Sequence, residues 1–179
     1  MSRVGPMFER LRGEGRKALV TYQVAGDPTP ERTVPLMHAL VAGGADVLEL
    51  GIPFSDPEAE GPDIQAAHER ALVHGVRLVD VLEQVAAFRA DDDTTPVVLM
   101  GYLNSVERMG CAAFAERAAA AGVDGAIIVN LPPEEADELR AAFAPHGLDL
   151  IFLLAPTTTD ARARRILGQA SGFVYYVSL

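Results

Sequence analysis

Glu49 stands in the run Leu48-Glu49-Leu50-Gly51-Ile52-Pro53-Phe54-Ser55-Asp56-Pro57-Glu58-Ala59-Glu60-Gly61-Pro62, which sends one carboxyl out of a strand and brings others back on a stiff loop. Carboxyls gathered in this way do general acid and base work when their surroundings push their proton affinities apart. The strand reading rests on Ala45-Asp46-Val47-Leu48-Glu49-Leu50, which follows the Gly43-Gly44 break. Side chains alternate along a strand, so Leu48 and Leu50 share one face while Val47 and Glu49 share the other. In a parallel sheet covered on both faces, Glu49 would end an interior row where desolvation disfavours ionisation. A carboxyl placed there trades protons near neutrality; the plainer alternative is a strand-end glutamate that reaches solvent. Prolines, a glycine and several acids crowd the loop that follows, a composition more usual in working loops at strand ends than in spacers.

The elements that must position this run are legible as an alternation. Short runs rich in β-branched residues, near Ala18–Val24, Asp46–Leu50, Pro96–Met100, Gly125–Val129, Asp149–Leu154 and Phe173–Val177, are separated by helical patterns. Such alternation predicts a parallel α/β sheet built from βα units. Met7, Phe8 and Leu11 predict a short amphipathic helix ahead of the first strand, placed as a plug under the sheet. Thr29-Pro30-Glu31 reads as a helix cap with proline in the first turn, and Pro35 reads as a weak point or kink in that helix. Leu78, Val81, Leu82, Val85 and Phe88 keep helical spacing, as do Phe114, Ala118 and Ala121. Pro133-Glu134-Glu135 starts another helix with acids where the macrodipole favours them. No linker, low-complexity tract or strong repeat divides the chain, so residues 1–179 are expected to form one domain.

Composition narrows the partners and the chemistry. A net charge of −10 argues against nucleic acid or an anionic membrane surface, since both need clustered Lys and Arg. No stretch is apolar for the roughly 20 residues that span a bilayer, and the amino terminus lacks an apolar signal core. Cys111, the single cysteine, permits no intrachain disulfide and suits a reducing compartment, so a cytoplasmic location is expected. Schiff-base chemistry needs a lysine at a strand end, yet the only lysine, Lys17, precedes the first strand. His38, His68, His74 and His146 fall in predicted helices or at their ends without ligand spacing, and read as surface or packing residues. No phosphate-loop or dinucleotide fingerprint occurs.

From Glu49 to Gln65 the chain resembles the signature of the tryptophan synthase alpha subunit family, E-L-G-[IV]-P-[FY]-S-D-P-x-A-D-G-P-x-I-Q, with Glu60 where the family carries its second catalytic aspartate. The resemblance continues in order through Ala25-Gly26-Asp27-Pro28, Val98 to Asn104, Leu131-Pro132-Pro133-Glu134-Glu135, Phe152 to Thr159 and Gly172 to Ser178. It implies a TIM (β/α)8 barrel, incomplete in this chain. Such barrels take about 250 residues, and only about six of eight strands are supplied here. The family's glycine-rich phosphate site follows strands seven and eight, so the chain is read either as part of a longer polypeptide or as the product of a shortened gene.

The resemblance further implies a cofactor-free retro-aldol cleavage of indole-3-glycerol phosphate to indole and glyceraldehyde 3-phosphate, within tryptophan biosynthesis. Glu49 would handle the ring-carbon and hydroxyl protons, and Glu60 the indole N–H, on an arm one methylene longer than the family's. Tyr22, Met100, Tyr102, Ile127, Val129, Leu153 and Tyr175 correspond to indole-pocket positions; each could also be plain barrel filling. Tyr175 is the favoured phenol, expected to be buried within reach of the carboxyls. Asn130 stands where the family usually has aspartate. Pro53, Phe54, Ser55, Asp56 and Pro57 match the loop that meets a beta subunit carrying pyridoxal phosphate, in a heterotetramer of two alpha and two beta subunits. An exposed Phe54 beside two prolines would suit that contact; the alternative is a loop that folds onto its own barrel. Competing functions are a catalytically weakened alpha-like partner that regulates a beta subunit, and a stand-alone indole-3-glycerol phosphate lyase or another phosphate-binding barrel enzyme.

Overall fold

Strand after strand pairs with its sequence neighbour in the computed structural model, which describes residues 1–178. The strands are β1 (Val20–Val24), β2 (Val47–Gly51), β3 (Val97–Gly101), β4 (Gly125–Ile128), β5 (Asp149–Leu154) and β6 (Val174–Tyr176), all parallel. Helices fill the intervals: α1 (Val4–Gly13), α2 (Thr33–Ala42), α3 (Pro62–Val73), α4 (Leu78–Phe88), α5 (Leu103–Met109), α6 (Cys111–Ala121), α7 (Asp137–Phe143) and α8 (Asp160–Leu167). Consecutive parallel pairing with helical crossovers is the construction of a (β/α) barrel, and these six strands form an arc of one.

Alternation along the strands produces two apolar layers. Leu48, Leu50, Val97, Leu99, Ala126, Ile128, Leu150 and Phe152 face outward into a layer shared with Phe88 of α4, Phe114 of α6 and Phe143 of α7. Val47, Val98, Ile127 and Ile151 face inward and meet Val4, Met7 and Leu11 of α1, which closes the bottom of the arc. Phe8 of α1 meets Phe173 edge-on, with ring centroids 5.9 Å apart. Glu49 belongs by parity to the inward row.

Three local expectations change. Pro35 is the third residue of α2, where its missing N–H has no helical partner to lose, so no kink arises. Pro30–Arg32 forms only a single 3-10 turn, and the Thr29 side chain caps nothing. Thr33 does that local work instead: its buried hydroxyl accepts the N–H of Gly26 at 2.8 Å. Pro133–Glu135 likewise forms a 3-10 turn, and α7 begins after it.

At the foot of β4, fully buried Asp124 ties the bottom together. Its carboxylate accepts the backbone N–H of Arg3 at 2.7 Å and of Val97 at 2.8 Å. It also pairs with the guanidinium groups of Arg3 at 3.0 Å and Arg89 at 2.8 Å. Among the described residues, no helix is long and apolar enough to cross a membrane.

Candidate functional site

Parallel register decides which side chains meet. Tyr22 lies opposite Glu49, Glu49 opposite Val98, Met100 opposite Ile127, and Leu153 opposite Tyr175. Side chains of paired residues share a face, so Tyr22, Glu49, Met100, Ile127, Leu153 and Tyr175 line the inner surface, with Val129 continuing the row beyond β4. Gly51, the last residue of β2, leaves room for the Tyr22 ring: a Cβ there would stand 2.3 Å from the phenol oxygen and the ring would have to shift. The tyrosine therefore crosses close over the strand end directly above Glu49.

Glu49 is 4% exposed, and burial alone pushes its pKa up to about 7. The Tyr22 phenol is raised well above its ordinary value, first by burial and then by the charges of Glu60 and Glu49. The charges of both carboxyls thus reach one phenol. The Tyr175 phenol is also raised by burial and by Glu49, but the residue is 37% exposed and its hydroxyl makes no hydrogen bond among the described residues. The expectation of a buried, hydrogen-bonded Tyr175 is corrected accordingly; the phenols gathered at the carboxyls are Tyr22 and Tyr102.

Tyr102 closes the loop onto the barrel. Its hydroxyl donates to Glu60 Oε2 at 2.5 Å and accepts the N–H of Ala59 at 3.0 Å, while its ring stacks on Phe54 with centroids 4.8 Å apart. Burial and the bond to Glu60 both raise the Tyr102 phenol pKa. Phe54 is half-buried and Pro53 buried, so the exposed aromatic expected of this loop is not found: both residues shape the loop from within. Ser55 and Asp56 are exposed and bonded to each other at 2.6 Å, with Pro57 half-buried beside them. Asn130 is exposed and accepts the N–H of Leu103 at 2.8 Å, fastening the turn after β3 to the turn after β4.

One member of the site was absent from the candidates above. His68 on α3 is 1% exposed, accepts the N–H of Phe54 at Nδ1 and lies against the Tyr22 hydroxyl. The signal was faint: α3 buries Ala67, His68 and Ala71, and a polar ring between small residues on a buried helix face must find partners there. Val129 and Leu153 also line a cavity of about 320 Å³ between the ends of β4 and β5, which neither Glu49 nor Glu60 reaches. Among the described residues, no group of three or more His, Cys, Asp or Glu side chains could hold a metal ion.

An arc of parallel βα units with a buried carboxyl on its second strand, and a loop acid held by the tyrosine that follows the third, defines a TIM-barrel protein. Residues 8–179 match the family model described as tryptophan synthase alpha chain, and the chain belongs to that family. It is 62% identical over its full length to the tryptophan synthase alpha chain of Thioalkalivibrio sulfidiphilus, covering 67% of that protein. It is 61% identical to that of Nitrosococcus oceani, covering 66%. The crystal structure of tryptophan synthase subunit alpha from Legionella pneumophila superposes with a TM-score of 0.96 at 54% identity, over 99% of this chain and 68% of that one. The chain therefore spans about two thirds of the length of the relatives it matches.

Proposed function

We propose that this chain carries the acid–base half of a tryptophan synthase alpha reaction, the cofactor-free cleavage of indole-3-glycerol phosphate to indole and glyceraldehyde 3-phosphate. The observation that carries the reading is Glu49, buried among inward-facing phenols with a pKa of about 7. A carboxyl poised there is protonated often enough to give a proton and basic enough to take one back.

In the proposed sequence, neutral Glu49 protonates the ring carbon that bears the glycerol chain while the Glu60 carboxylate takes the indole N–H proton, leaving the ring as its indolenine tautomer. Glu49, now ionised, then removes the proton from the adjacent glycerol hydroxyl. The hydroxyl oxygen forms the aldehyde and the carbon–carbon bond breaks. The released electron pair returns to the ring, which recovers its N–H proton from Glu60. Glu49 ends protonated, and no net proton is gained or lost. Met100, Ile127, Val129 and Leu153 are proposed to offer the apolar wall for the ring, with Tyr22, Tyr102 and Tyr175 around its polar edge. The phosphate grip is assigned to the part of the family's length that this chain does not span.

Measuring indole release from indole-3-glycerol phosphate tests the reading, and Glu60 supplies its sharpest internal control. The bond from Tyr102 holds the longer arm of Glu60 in place. Glu60→Asp is therefore expected to change the rate by less than about tenfold, whereas Glu60→Ala lowers it by about 100-fold or more. A larger gain in Glu60→Asp would instead identify a weakened site and favour a mainly regulatory role.

The partner is proposed to be a beta subunit holding pyridoxal phosphate, in a heterotetramer, with this chain binding no cofactor of its own and working in the cytoplasm. Ser55, Asp56 and Pro57 present the outer edge of the loop to that partner, while Pro53 and Phe54 set its shape from beneath. Co-purification with the beta subunit at micromolar concentration, together with a change in its activity, is the expected result. Absence of both removes the partner.

A further inference from the structure

Beneath the loop after β2 lies a histidine that the proton transfers above leave unused. Nδ1 of His68 accepts the backbone N–H of Phe54 at 3.1 Å, and Nε2 lies 3.4 Å from the Tyr22 phenol oxygen. A ring nitrogen that accepts carries no proton, so the neutral imidazole holds its hydrogen on Nε2 and points it at Tyr22. Burial lowers the affinity of this ring for a second proton, against a smaller opposing pull from Glu60. With its oxygen accepting from Nε2–H, Tyr22 has its own O–H free to donate into the site, where the charges of Glu60 and Glu49 act on it. Phe54 and Tyr22 are the two ends of this chain of bonds: one starts the loop that carries Glu60, the other crosses Gly51 above Glu49.

We infer that His68 is a positioning residue for the acid–base pair: as the Nε2–H tautomer it pins the catalytic loop at Phe54 and turns the Tyr22 hydroxyl toward the two carboxyls. The inference rests on the lyase reading for its kinetic consequence and on geometry alone for its structural one. A histidine that merely filled space would be replaceable by any side chain of similar bulk. Asparagine is the discriminating substitution, because its Oδ1 occupies the place of Nδ1 and can accept from Phe54, while it carries nothing that reaches Tyr22.

The experiment combines nitrogen-15 NMR of His68 in the unsubstituted chain, amide exchange at Phe54, and indole release. Expected are a protonated Nε2 with a bare Nδ1, and exchange at Phe54 about tenfold faster in His68→Ala but within about threefold of the parent in His68→Asn. In indole release, His68→Ala is expected to lower kcat about tenfold with little change in KM, and His68→Asn to recover part of that loss. A proton found on Nδ1, or Phe54 exchange unchanged in a folded His68→Ala, overturns the inference. Should His68→Ala not fold, the tautomer and His68→Asn still decide: equally fast exchange in His68→Asn and in the unfolded chain would sink it. An unsubstituted chain that releases no indole would remove the lyase reading, while tautomer and exchange continue to test the role of His68 by themselves.

Discussion

Glu49→Gln is expected to reduce indole release by about a thousandfold or more, because in the proposed sequence one side chain both gives and takes the protons of the cleavage and single acid–base groups are worth roughly 10² to 10⁴. Glutamine keeps the volume and polarity of the buried position but can neither donate nor accept a proton in the needed sense. The loss should fall on kcat, with KM little changed, since the group acts in the transition state. In the parent the rate should decline as pH rises through about 7, where Glu49 loses the proton with which the proposed sequence starts. Unchanged activity in Glu49→Gln would remove the assignment.

The same substitution should move stability the other way. A carboxyl whose pKa rises from 4.5 unfolded to about 7 folded holds more protons in the folded chain across that interval. Its contribution to stability is therefore retained below about pH 4.5, drains away as pH climbs toward 7, and is flat above. At 1.36 kcal/mol per pKa unit the loss amounts to about 3 kcal/mol. Glu49→Gln escapes it and should be more stable than the parent near pH 8, the two converging as pH falls toward about 4.5. Denaturation midpoints measured across that range check this directly. A variant less stable than the parent near pH 8 would show that the ionised carboxyl is welcomed in its pocket, and the proposed acid would lose its physical basis. Stability given up at a working residue is the expected trade at functional sites.

How far the sequence reveals this arrangement depends on whether a feature is written in neighbours or in contacts. The inner strands β2, β3 and β4 are legible because each is a short apolar run buried on both sides, and the parity of Val47 and Glu49 alone places the carboxyl inward. Strand ends were less legible: β1 begins at Val20 rather than Ala18, and β6 spans only Val174–Tyr176. Phe54 misled because its two prolines suggest a projecting loop, whereas its ring finds Tyr102, which arrives from a different βα unit. Tyr102 gripping Glu60 is likewise a contact between units, at a sequence separation of 42, while His68 gripping Phe54 closes the loop onto its own helix across 14 residues that show no periodicity. Pro35 was misread because its effect depends on whether it falls in the first turn or the third, and that boundary shifted with the 3-10 turn ahead of it.

Asp124 left no trace in the motif reading, yet its removal should be the most damaging change to the fold. Asp124→Asn keeps the shape and loses the charge, leaving Arg89, whose side chain is 10% exposed, as a buried cation without its counter-ion. Burial already lowers the proton affinity of that guanidinium, so the carboxylate is what makes its placement tolerable. Removing one member of a buried pair costs about 3–5 kcal/mol, a large share of the roughly 5–15 kcal/mol that holds a domain together. Arg3→Ala, whose side chain is 29% exposed, should cost only about 1 kcal/mol through its guanidinium. Urea denaturation of the two variants should separate them by midpoint, with similar slopes. A loss below about 1 kcal/mol in Asp124→Asn would refute the role given to this pair. Replacing Asp124 and Arg89 together by apolar residues should not restore the parent, although such swaps often rescue buried ion pairs. Asp124 also accepts the backbone N–H groups of Arg3 and Val97, and an apolar side chain would leave both donors unsatisfied at the junction of α1 with β3. Because this junction lies at the end of the strands opposite Glu49, the folded fraction of each variant should keep the Glu49 titration near 7. Damage confined to stability would thereby separate the residues that build the barrel from those that use it.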